Sequence, residues 1–78
     1  MFKATVKVTL KKTVLDPQGK TVGHALKSLG FSSVEDVRMG KLVELTLDSG
    51  DESQIKEMCE KLLTNPIIEE YAYTIEEV

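Results

Sequence analysis

The apolar residues of this 78-residue chain switch back and forth between two spacings, which restricts it to a small mixed fold. Phe2, Ala4, Val6, Val8 and Leu10 take every second position, separated by Lys3, Thr5, Lys7 and Thr9. An extended strand turns that pattern into one buried face and one wet face. From Val22 the spacing becomes helical, with Val22, Ala25, Leu26 and Leu29 on an i, i+3, i+4, i+7 stripe. Asp16 and Pro17 mark the start of that helix: an acceptor for free backbone N–H groups, then a residue whose missing N–H costs nothing there. Gly30 marks its end, where a left-handed residue is wanted, and Phe31 is placed to fold back toward Leu26.

Further along, Val37 and Met39 alternate with Asp36 and Arg38, Gly40 and Lys41 read as a tight turn, and Val43, Leu45 and Leu47 resume period two. Together they predict a hairpin. Ser49 and Glu52 have capping-box spacing ahead of a second helical stripe, Ile55, Met58, Cys59, Leu62 and Leu63, which Asn65 and Pro66 stop. In the final segment Glu69, Tyr71, Tyr73 and Ile75 share one side and Ile68, Glu70, Ala72 and Thr74 the other, predicting a last strand. The order is strand, helix, strand, strand, helix, strand, with short connections and no solenoid repeat.

Such an order predicts a single α+β domain over residues 1–78, of ferredoxin-like βαββαβ type: a four-stranded antiparallel sheet with both helices on one face. Lys3, Thr5, Lys7, Thr9, Arg38, Glu44, Thr46 and Thr74 would populate the open face. A chain this short hides only about 60% of its unfolded surface. Covering the open face, or pairing an edge strand with a second copy, would relieve both the thin core and the bare edges, so self-association is expected.

Charge and composition remove several classes of function. Ten basic against thirteen acidic residues give a net charge of −3, with no basic field to hold nucleic acid. The lone Cys59 cannot form an internal disulfide or a cysteine-rich metal site, and fits a reducing compartment. Lysines interrupt the apolar residues of the N-terminus, which therefore reads as neither a signal peptide nor a membrane span; a cytoplasmic location is expected.

No catalytic group assembles from the remaining residues. His24, the only histidine, sits beside Ala25 on the first helix and reads as a boundary residue with one ring nitrogen wet. Cys59 falls inside an apolar stripe, where thiols are inert. One histidine, one cysteine and scattered carboxylates offer no zinc spacing, so neither metal nor cofactor is expected on this chain. Gly19 and Lys20 near a helix start resemble an anion cradle, but without a glycine-rich loop a plain N-cap is the better reading. Arg38, the only arginine, suits either a partner's carboxylate or anion, or a cross-strand pair with Glu44. Gly23 costs roughly 1 kcal/mol inside a helix and would permit close approach of another chain. These residues describe a subunit without covalent chemistry of its own.

Three blocks carry a resemblance to a known family. Asp16-Pro17-Gln18-Gly19-Lys20 with His24-Ala25-Leu26 and Leu29-Gly30-Phe31, then Asp36-Val37-Arg38-Met39-Gly40-Lys41 with Glu44-Leu45, then Cys59 to Leu63 with Asn65 to Glu69, resemble the PurS family over nearly the whole chain. That family is the small subunit of bacterial and archaeal phosphoribosylformylglycinamidine synthase. The resemblance implies a noncatalytic member of a three-part enzyme of de novo purine synthesis, beside a glutaminase and a large synthetase that holds ATP and magnesium. It implies a bridge between those two subunits that assists ammonia transfer, and a homodimer or tetramer. Asp16, Gln18, Gly19, Lys20, His24, Arg38, Gly40 and Lys41 become the candidate partner contacts. Of a different class, a small-molecule regulatory domain is the alternative. An acylphosphatase is discounted, since Arg38 does not follow the first strand.

Overall fold

The computed structural model describes residues 1–78 and measures 46 × 29 × 14 Å, a flat body. Its frame is a three-stranded antiparallel sheet in the order β2-β1-β3, from β1 (Phe2–Leu10), β2 (Gly40–Leu47) and β3 (Glu69–Glu77). β1 lies in the middle, so its hydrogen bonds are taken on both sides. Its alternation is accordingly the cleanest: Ala4, Val6 and Val8 are buried while Lys7 is exposed. Register sets the two faces. Val6 stands opposite Val43 and Tyr73 on one, and Thr5 opposite Glu44 and Thr74 on the other. The second face is the open one expected, and there Lys3 reaches Glu44 at 3.5 Å.

The sheet has three strands where four were expected, and the ferredoxin-like reading is overturned. The expected hairpin does not form, because residues 36–39 make no strand and Gly40 is no turn. Gly40 opens β2 opposite Thr9, and a Cβ placed on it would lie 2.3 Å from the Val8 carbonyl oxygen. Its glycine serves close backbone approach across the ladder. The preceding N–H groups are taken by side chains: Val37 N donates to Asp36 Oδ1 at 3.0 Å and Met39 N to Asp16 Oδ2 at 2.8 Å. Once occupied by carboxylates, those groups have no ladder to extend.

α1 (Pro17–Ser28) starts and stops as the sequence requires. Asp16 Oδ1 accepts from Gly19 N at 2.8 Å. At the other end Gly30 takes φ 99°, its N–H donates to Lys27 O at 3.0 Å, and Phe31 N donates to Leu26 O at 3.0 Å, a Schellman closure. The Phe31 side chain stays more than half exposed. The expected stripe is not covered, however: Ala25 and Leu29 are exposed, Val22 and Leu26 half-buried, and Gly19 is the helix's only buried residue. One helix, not two, packs on the sheet.

That helix is α2 (Glu52–Met58), capped by Asp51, whose side chain accepts from Ser53 N; the expected Ser49 cap is not used. Ile55 and Cys59 are fully buried against Ala4, Val6 and Val8, and these five residues are the core. Past Met58 the chain widens into a π turn, Cys59–Leu63, closed by Thr64 N donating to Cys59 O at 2.8 Å. Widening turns the stripe: Leu62 is 82% exposed, and Thr64 takes the buried place instead.

Candidate partner interface

Asp16 ties the loop before β2 to the start of α1. Each of its carboxylate oxygens accepts a backbone N–H, from Gly19 and from Met39, and those bonds hold its pKa below the ordinary aspartate value, Met39 having the larger effect. The loop comes so close that a Cβ on Gly19 would lie 2.3 Å from the Val37 carbonyl oxygen. Gly19 is therefore glycine for the approach of a neighbouring segment. Arg38 reaches across to donate from Nη2 to the Leu10 carbonyl, at the end of β1. Glu44, its expected cross-strand partner, pairs with Lys3 instead, so Arg38 is a clamp between the loop and the exit of β1.

These contacts leave two open grooves along α1. One, of about 360 Å3, gathers Lys12, Asp16, Lys20, Asp36 and Arg38 beside Leu15. The other, of about 240 Å3, runs along Lys20, His24 and Lys27 on the helix and Glu35 and Asp36 on the loop. Of the eight residues expected as contacts, Asp16, Gly19, Lys20, His24 and Arg38 share this region. Gln18 and Lys41 line neither groove, and Gly40 serves the ladder. Lys12, Lys27, Glu35 and Asp36 were missed. Only the pairing of loop 36–39 with α1 brings them in, and no local motif signals that pairing.

The arrangement suits recognition by charge and shape. The Cys59 thiol is buried, and burial pushes its pKa up, away from the reactive thiolate. No three His, Cys, Asp or Glu side chains converge to hold a metal ion, and no helix is long and apolar enough to cross a membrane.

Comparison with known proteins decides the family. Residues 3–77 match the family described as PurS, phosphoribosylformylglycinamidine (FGAM) synthase. The chain belongs to the PurS family. Over its whole length it is 53% identical to the phosphoribosylformylglycinamidine synthase subunit PurS of Bacillus subtilis, covering 96% of that protein, and 42% identical to that of Methanocaldococcus jannaschii, covering 99%. The B. subtilis PurS crystal structure superposes with TM-score 0.91 at 52% identity, over 99% of this chain and 100% of the other. A chain in the structure of PurLQS from Thermotoga maritima superposes with TM-score 0.84 at 30% identity, covering 96% of each. The function that comes with the family is that of a subunit of FGAM synthase in purine biosynthesis.

Proposed function

We propose that this chain is the scaffold of a three-part FGAM synthase, joining the glutaminase, PurQ, to the synthetase, PurL, and assisting ammonia to pass between them. The observation that carries the reading is its likeness, over 96% of both chains, to a chain found in a PurLQS assembly. The covalent chemistry then belongs to the partners, with ATP and magnesium on the synthetase. The whole assembly is cytoplasmic. The groove between α1 and loop 34–37, with lysines on the helix side and carboxylates on the loop side, supports a role in contact.

The chain also works as a homodimer or tetramer in this reading. Only seven of 78 residues are buried, while Leu15, Leu29, Phe31, Leu62 and Ile67 are all more than half exposed. Both β2 and β3 are edge strands. A second copy covering α1 would remove Leu15, Leu29 and Phe31, at its two ends, from water.

The test is reconstitution. The chain, mixed with glutaminase and synthetase in the presence of glutamine and nucleotide, is expected to co-purify as one complex and to raise glutamine-dependent synthesis above that of the pair. A pair that works equally well without this chain would defeat the proposal.

A further inference from the structure

The folded chain is too open for its mass. A compact protein of 8.7 kDa exposes about 4,700 Å2, and this one exposes 5798 Å2. Its radius of gyration is 15.7 Å, where about 11.5 Å is usual for 78 residues. The cause is α1. Asp16 accepts from Met39 N, Arg38 donates to the Leu10 carbonyl, and the Val37 carbonyl crowds Gly19, so the start of the helix is fastened where β1 ends and β2 begins. A nine-residue strand spans about 30 Å and the body is 46 Å long, so α1 and its loop extend past the sheet. No α1 side chain packs on the core.

Two surfaces of the chain therefore lack cover, and they are of matching kind. On α1, Gly19 and Gly23 turn toward Val37 of the loop, which leaves Ala25 and Leu29 exposed on the other side of the helix. The only charged side chains of α1, Lys20 and Lys27, line the groove with the loop and stay off that side. On the sheet, the π turn leans to β3, where Glu60 and Thr64 border the same opening as Tyr71. At the opposite flank Val43, Leu45 and Leu47 of β2 lie against the core yet remain half-buried.

We propose that two copies exchange α1, each laying the Ala25 and Leu29 side of its helix along Val43, Leu45 and Leu47 of the other. A second copy is the occupant because the helix that lacks a sheet and the sheet flank that lacks a helix belong to one chain, so a single two-fold axis satisfies both. Area agrees. The surplus of roughly 1,000 Å2 on each copy makes about 2,000 Å2 for a pair, which is the size of an obligate homodimer interface. The inference rests on the self-association proposed above and adds which surfaces meet.

Two measurements test it. Isotopically labelled and unlabelled full chains are unfolded, mixed and refolded together, and isotope-filtered NMR then records only the contacts that cross between copies. Cross-peaks joining Ala25 and Leu29 of one copy to Val43, Leu45 and Leu47 of the other are expected. In parallel, sedimentation equilibrium compares the unaltered chain with Ala25→Glu, a change at an exposed position that leaves the fold of the single chain intact. A carboxylate buried at the centre of the contact is expected to weaken the dimer about tenfold or more. A dimer whose cross-peaks join other surfaces, or one that Ala25→Glu leaves undiminished, would overturn the exchange while self-association stands. A chain that stays monomeric at every concentration would take down both.

Discussion

Each oxygen of the Asp16 carboxylate accepts a backbone N–H, so the charged form is favoured in the folded chain and its pKa falls below the ordinary 3.8. A lowered carboxylate pKa contributes stability that is complete above the unfolded value and is lost as pH falls through the folded one. Denaturant midpoints measured from pH 7 down to pH 2 should therefore drop below about pH 4, and Asp16→Asn should flatten part of that drop. Gly19 and Gly23, in the same helix, respond to alanine with opposite signs. At Gly19 the new Cβ would meet the Val37 carbonyl oxygen at 2.3 Å, and Gly19→Ala is expected to cost about 1–3 kcal/mol. At Gly23 the nearest atom is a Val37 methyl at 3.6 Å, so Gly23→Ala gains about 0.5–1 kcal/mol of helix propensity. Thermal melts of the two variants read both signs. Gly23 is thus no steric necessity within the chain. Thr64→Val, which removes an unpartnered buried hydroxyl at constant shape, should stabilise the free chain by about 1 kcal/mol in the same melts.

Among the elements, α2 carries the core and α1 stands apart from it. Ile55 is one of two side chains that α2 and its π turn send fully into the core. Ile55→Ala is therefore expected to cost about 2–5 kcal/mol, a large share of a small domain's stability, as read by denaturant unfolding. α1 was legible at both ends, because Asp16, Pro17 and Gly30 act through neighbours three or four residues away. Its packing was not legible. An amphipathic stripe says that a face seeks cover, and says nothing about which surface supplies it. The π turn escaped for a related reason: one wider turn shifts Leu62 outward and Thr64 inward without any change in residue type that marks it. Residues 36–39 alternate like a strand, yet Asp16, twenty-three residues away from Met39, claims the hydrogen bond that pairing would need.

For the molecule as a whole, a flat body 14 Å thin in its smallest dimension, with five residues at its core, leaves much apolar surface outside. Leu29→Asp, on the exposed side of the α1 terminus, is expected to lower the sedimentation coefficient of the free chain while leaving its circular dichroism unchanged. Hydrogen exchange in α1 should likewise slow as protein concentration rises, if the proposed association is what covers that helix. The separation of charge matters at this scale too. The C-terminal part is acidic enough to attract cationic partners, which a net charge of −3 conceals.

By itself the sequence determined whatever depends on near neighbours: the periods of β1 and β3, the ends of α1, the stop at Asn65 and Pro66, and the three residue blocks that place the chain in its family. Only the tertiary structure decided how many strands the sheet has, which helix covers it, and which side chains share a groove. The reason is physical. Periodicity and capping are settled within a few residues, whereas the ladder and the core are settled by competition between distant groups for the same hydrogen bonds and the same buried area.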